Sequence, residues 1–233
     1  MDITLRHSPT VEVRAALRDL APVMVGLAPF ALLIGVTGVR SGVGGGTGVL
    51  SSAVLLGGSA QLTGLTMLAG GAAPLALVAA VTLVNARFLL YAAAIEPSFR
   101  DQPRWFRWVG PQFVVDPTYA MVTRRGDLAD PGRFRRYWLT AGVGLAAAWV
   151  GLTVLGVVLA PVLPDSAALD VAAPAMFLAV LVPQLRARPA RAGASAAAVT
   201  AVVASPLPDG IGLLCGIAVG VLAATLSDRS PSS

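Results

Sequence analysis

Polar side chains are scarce in the apolar stretches of this sequence, and each one there is expensive to bury unpaired. Arg87 is the sharpest case. It lies deep in an apolar run and is followed by Phe88, Leu89 and Leu90. A guanidinium in that setting needs an acceptor or a watery cavity, and its fixed fork suits a carboxylate. The plainer alternatives are a structural ion pair, or snorkelling toward the end of the run near Glu96. Asn85 is two residues before Arg87. Tyr91 follows Arg87 by one helical turn, on the same face, to orient it or to sit at the membrane interface. Asp116 precedes Pro117, which removes an amide donor and breaks a helix. A carboxylate beside such a break holds an amine, carries a proton, pairs with Arg87, or merely caps a surface helix. Gln61 follows the small residues Gly57, Gly58, Ser59 and Ala60. That pattern fits a ligand approaching backbone, or an interhelical hydrogen bond worth about 0.6 kcal/mol. Thr118 and Tyr119 belong with Asp116. The candidate substrate-binding or coupling residues are therefore Gln61, Asn85, Arg87, Tyr91, Asp116, Thr118 and Tyr119.

Other chemistries find no support. The glycine cluster at 42–48 misses the dinucleotide-binding spacing and lacks a P-loop lysine. The one histidine, His7, lies in the polar leader, too remote in character to serve as a base within the membrane, and no metalloprotease motif occurs. Cys215 is the one cysteine, inside an apolar run; it forms no intrachain disulfide or thiolate cluster and reads as a buried small hydrophobe. No catalytic residue, metal site or cofactor is expected.

The elements that must carry these residues are membrane spans. Hydrophobic residues make up 56% of the 233, and charged residues 12%, about half the share in soluble domains. That composition excludes disorder and argues against an ordinary soluble enzyme. The net charge of +5 does not signal nucleic-acid binding. All 17 basic residues are arginines, and they cluster in short segments between apolar runs, as at helix ends held on one side of a membrane.

Residues 1–20 form a polar leader without the early apolar core of a signal peptide. A single transmembrane domain is expected over 21–227, followed by a tail at 228–233. The runs 21–39, 47–69, 72–95 and 138–160 are each long enough to cross about 30 Å of hydrocarbon at about 1.5 Å per residue. Runs 171–185, 193–206 and 210–226 are shorter. Residues 96–108 join arginines to Trp105 and Trp108, a headgroup-level segment. Gly212, Gly216 and Gly220 repeat at four and make a small-residue ridge for another helix of this chain or of a second subunit.

The fold class is thus all-α: a polytopic transmembrane bundle of seven to eight spans, some broken or short. The number turns on 109–123. If that stretch crosses, as a broken or tilted helix, there are eight spans and both termini lie inside. If it does not, there are seven and the N-terminus lies outside. Arginine placement puts the 124–137 loop and the C-terminus in the cytoplasm either way.

The order of these motifs resembles the large subunit of the AzlC/AzlD branched-chain amino acid transport family. Gly26-Leu27-Ala28-Pro29-Phe30, ending with Gly35, resembles its first-helix pattern. Gly58-Ser59-Ala60-Gln61 resembles its glycine-alanine-serine-glutamine stretch. Asn85-Ala86-Arg87-Phe88 resembles its asparagine-x-arginine-histidine motif, and Asp116-Pro117-Thr118-Tyr119 its acidic segment. The likeness covers roughly residues 20–160. Phe88 stands where histidine is usual and Pro117 where glutamate is usual, so two ionisable groups are missing. The resemblance implies secondary export of branched-chain amino acids such as valine, across a bacterial inner membrane. It also implies a small hydrophobic AzlD-like partner subunit. In the resulting scheme Arg87, with Gln61 or Asn85, receives the substrate carboxylate; Asp116 or helix-end carbonyls receive the ammonium; Phe30 or Phe88 borders the side chain. Two alternatives stay open: a non-transporting membrane scaffold, and a channel or carrier for another small organic solute.

Overall fold

A computed structural model describes residues 10–163, 182, 185, 188–204 and 211–228. The described residues are helical, with no strand. Most of the expected span at 171–185, most of the loop at 161–170, the turn at 205–210, Arg186, His7 and the tail from 229 lie outside them.

Helix α1 (Thr10–Arg40) runs through the second half of the polar leader before entering the first apolar run. The reason lies far along the chain. Asp19 accepts from Arg125 at 2.9 Å and from the Tyr137 hydroxyl at 2.8 Å, and Glu12 accepts from Arg133 Nε at 2.8 Å. The leader's acids therefore neutralise the basic loop and are ordered by it. After Arg40 the chain reverses at Gly42 and Gly44, whose φ values of +75° and +96° suit glycine.

The run 47–69 was expected to be one span; it is two helices. Helix α2 (Gly45–Val54) ends in extended backbone at Leu55 and Gly57, and α3 (Gly58–Ala69) follows. Ten residues of helix cover only about 15 Å, half the hydrocarbon. The neighbours show the direction. Gly45 lies against Val157 and Gly48 against Gly38, whereas Gly58 lies against Phe30 and Trp149. Helix α2 thus descends to half depth. Helix α3 then returns, antiparallel to α4 (Pro74–Asn85), with Gly64 facing Val81 and Gly57 facing Asn85. The pair is a re-entrant hairpin, made possible where two adjacent glycines let rings and backbone meet.

Helices α4 and α5 (Arg87–Ile95) form one kinked crossing of 22 residues. At Ala86 the N–H bonds to Leu83 O, three residues back rather than four. Short helices α6 (Pro97–Arg100) and α7 (Arg104–Val109) follow. The stretch 109–123, on which the choice between seven and eight spans turned, does not cross either. It consists of a 3₁₀ turn (Gly110–Phe113), extended residues Val114 and Val115, and α8 (Asp116–Thr123). Eight residues of helix give about 12 Å. Gly110 is held by Trp138 Nε1 at 2.8 Å, Phe113 fills the notch at Gly142, and the chain comes back to the Asp19 network at Arg125. This second hairpin enters from the opposite end to the first. Pro111 and Asp116-Pro117 are the sequence breaks that create it.

Helix α9 (Pro131–Leu159), N-capped by the Asp130 side chain on Arg133 N–H, lies parallel to α1 over its whole length. Glu12 meets Arg133 at one end; Arg40 reaches Leu163 O at 2.8 Å at the other. Between them Gly35 and Gly156 bring the backbones into contact, as small residues do in lipid. Because α1 and α9 are parallel, the N-terminal end of α1 and the 124–137 loop share one end of the bundle. The eight-span reading had them together; the seven-span reading separated them. Among the described residues three helices have the length and hydropathy to cross: α1, α4–α5 and α9 extended to Val162.

Helices α10 (Arg188–Val203) and α11 (Ile211–Asp228) form an antiparallel pair. The glycine ridge packs within the chain: Gly212 on Ala204 O, Gly216 on Ala197 O, Gly220 on Gly193 O and Ala197. Cys215, expected to be buried, is half-buried beside α4.

Candidate functional site

The two hairpins meet at half depth, beside the kink in α4–α5. Gln112 Nε2 of the second hairpin donates to Val54 O of the first at 3.3 Å. The N-termini of α3 and α8 both open onto this junction; α3 has no side-chain cap, and at α8 the Thr118 hydroxyl takes only the Val115 N–H. Their free N–H groups and dipoles favour negative charge there.

Arg87 is the first residue after the kink. Its Nη2 lies 2.9 Å from Asp116 Oδ2 and donates to Ser59 Oγ at 3.0 Å. One cation therefore ties α5 to the tips of both hairpins. Its guanidinium carbon sits 5.4 Å from the Phe88 ring centroid, a cation–π contact. Asp116, at the first turn of α8, accepts from the Tyr91 hydroxyl at 3.0 Å. Tyr91 stacks on Tyr119 with centroids 4.4 Å apart and planes 11° from parallel. The Arg87 and Asp116 side chains are 40% and 44% exposed, so the pair is open to an incoming molecule.

Two polar atoms here are buried without a partner: Arg87 Nε, a donor, and Asn85 Oδ1, an acceptor. Each such group costs about 1–3 kcal/mol unless something pairs with it. The glycine at 57 gives Asn85 its room, since a Cβ there would stand 2.7 Å from Oδ1 and 3.3 Å from the Phe88 ring. Phe30 and Trp149, 5.9 Å apart and edge to face, close the apolar side at Gly58.

Of the residues singled out from sequence, Arg87, Tyr91, Asp116 and Tyr119 form one contiguous cluster, and Asn85 adjoins it. Gln61 and Thr118 stand apart. Gln61 is 1% exposed and belongs to a closed ring of hydrogen bonds. Trp149 Nε1 donates to Gln61 Oε1 (3.2 Å), Gln61 Nε2 to Ser52 Oγ (2.5 Å), Ser52 Oγ to Thr153 Oγ1 (3.0 Å), and Thr153 Oγ1 to Trp149 O (3.0 Å). The ring clasps the first hairpin to α9. Thr118 is equally enclosed: its hydroxyl accepts from Val115 N–H at 3.2 Å and donates to Phe113 O at 2.5 Å, fixing the bend before α8. Ser59 was missed. Its only signal was its place within the small-residue stretch before Gln61.

No group of three or more histidine, cysteine or acidic side chains that could hold a metal occurs among the described residues.

No curated protein and no solved structure is detectably similar to the chain. The profile of the AzlC protein family matches residues 22–163, which run from α1 to the end of α9 and enclose both hairpins and the Arg87–Asp116 pair. Covering more than half of the chain, that match makes the protein a member of the AzlC family, and with its long apolar helices it is a transport-related membrane protein.

Proposed function

We propose that this protein is the large subunit of a secondary exporter of branched-chain amino acids such as valine, working with a small hydrophobic AzlD-like partner. The observation that carries the reading is the unsatisfied donor and acceptor flanking an accessible ion pair where two half-depth hairpins meet. A zwitterion has the matching needs. Its carboxylate takes Arg87, Ser59 Oγ and the positive end of α3; its ammonium takes Asp116 and Asn85 Oδ1. In the empty site Arg87 and Asp116 answer each other's charge, and the substrate enters by replacing each with its own opposite group. Phe30, Phe88 and Trp149 line the side where an aliphatic branch would lie. Gln61 and Thr118 position the hairpin tips rather than touch substrate. Hairpins that enter from opposite ends, with helix N-termini meeting inside, are a recurring way to build a carrier site with access from each side. The reading includes no catalysis. The arginine-rich end, which holds the start of α1 and the 124–137 loop, is the cytoplasmic end of a bacterial inner-membrane protein.

Thermal unfolding of the detergent-purified chain, alone and with its partner subunit, tests this. Ligand at a hundred times its Kd stabilises by about 2.7 kcal/mol, so saturating valine raises Tm by several degrees while D-glucose does not. A valine response that is absent in both preparations would reject an amino acid site. It would leave the scaffold reading in its place.

A further inference from the structure

The interfacial stretch at the cytoplasmic end carries a surface that neither the site nor the packing uses. In α7, Phe106 is fully buried against Phe99 and Phe134, with ring centroids 5.1 Å and 6.2 Å away. That anchor presents the rest of the helix outward. Trp108 is 86% exposed and Trp105 52%, and Arg104 and Arg107 are exposed on either side of them. Neither arginine makes a hydrogen bond or contact ion pair with a described residue. The acids nearby do not neutralise the face. Glu96 is taken by Arg100 at 2.8 Å and feels the Arg107 charge without a contact, and Arg135 donates to Gln102 Oε1 at 3.2 Å. Gln102 Nε2 in turn bonds Pro131 O at 2.8 Å, so the segment is fastened to the start of α9, level with the basic loop.

An indole exposed to this degree is poorly placed in water and well placed at headgroup depth, where its ring meets acyl chains and its N–H meets polar groups. Unpaired guanidiniums beside it match phosphodiester oxygens. We infer that α7 is a binding site for anionic phospholipid headgroups of the cytoplasmic leaflet, with Arg104 and Arg107 holding the phosphate and Trp105 and Trp108 seating the glycerol and upper chains. The site is independent of substrate and of the Arg87 cluster.

The test uses the full chain reconstituted in phosphatidylcholine vesicles containing a small fraction of brominated lipid, which quenches nearby indoles. The Trp108 contribution is taken as the difference between wild type and Trp108→Phe. Brominated phosphatidylglycerol is expected to quench it at an about fivefold or greater lower mole fraction than brominated phosphatidylcholine, since each arginine at an anionic surface is worth about fivefold. Arg104→Gln/Arg107→Gln abolishes the preference; Arg104→Lys/Arg107→Lys and the distant Arg124→Gln keep it. Equal quenching of wild type by the two lipids overturns the proposal. So does a preference that survives in the double glutamine variant.

Discussion

Gly35→Ala is the most demanding test of how the helices are laid together. Alanine is the better helix former, favoured over glycine by about 1 kcal/mol in a helix interior. At Gly26, on the same helix, nothing lies within 4 Å of a new Cβ, so Gly26→Ala should realise that gain. At Gly35 the new Cβ would overlap the Thr153 carbonyl oxygen and sit 2.7 Å from Val157 N and 2.9 Å from Gly156 Cα. These are backbone atoms of α9, which cannot turn aside as a side chain can. Ordinary contact begins at 3.4 Å, so the Val157 contact alone requires α1 and α9 to part by about 0.7 Å, and the Thr153 carbonyl oxygen requires more. Overpacking of this kind costs about 1–3 kcal/mol, and a rigid backbone neighbour puts it near the top of that range. Gly35→Ala should therefore lose about 2 kcal/mol where Gly26→Ala gains about 1, a difference of about 3 kcal/mol between identical chemical changes. Titration from mild detergent into dodecyl sulfate, followed by circular dichroism, measures both. Equal stability of the two variants would refute the parallel α1–α9 contact. Re-entry of the first hairpin would fall with it.

Three further outcomes follow from the same geometry. Gln61→Leu opens the hydrogen-bonded ring and leaves Trp149 Nε1 and the Ser52 hydroxyl short of a partner; dodecyl sulfate unfolding should show a loss of about 1–3 kcal/mol, with a near-neutral result excluding the clasp. Tyr91→Phe removes the hydroxyl on Asp116 but keeps the stack on Tyr119, so valine transport in vesicles should show a raised KM, with stability changed by less than about 1.5 kcal/mol. Asp127 in the basic loop is held down to about 2 by hydrogen bonding to Arg125, which together with the nearby Arg133 charge outweighs slight desolvation. A lowered carboxylate stabilises the fold above its unfolded value of 3.8 and loses that contribution as pH falls toward 2. Wild type should melt slightly above Asp127→Asn at pH 7, and the two should converge between about pH 4 and pH 2; a gap constant with pH would contradict this.

Much of the scaffold is legible in composition alone. The runs containing α1, α4–α5 and α9 are long, apolar and bounded by arginine, glycine or proline, and lipid demands that such runs be helical. Arg87 and Asp116 were also readable, because an ion in hydrocarbon requires a partner. The two hairpins were not. Gly57-Gly58 differs little on paper from Gly26 or Gly151, which lie in unbroken helices; the break needs Asn85, Phe88, Phe30 and Trp149 to surround it. Gln61 likewise looks like a ligand-binding amide until Ser52 and Thr153, 101 residues apart, are seen to bond each other beside it. The helical start at Thr10 hides for the same reason. Glu12 and Asp19 make a polar leader in sequence and a buried or half-buried seam once Arg133 and Arg125 arrive.

The central claim is that solute passes through the Arg87–Asp116 junction. Efflux of labelled valine from vesicles holding the chain and its partner, compared among wild type, Arg87→Ala and Asp116→Ala, addresses it most directly. Loss of a charge-assisted contact at about 1.5–3 kcal/mol predicts transport lowered by about tenfold to over a hundredfold in each variant, at unchanged amounts of folded protein. Efflux equal to wild type in both variants would contradict the claim.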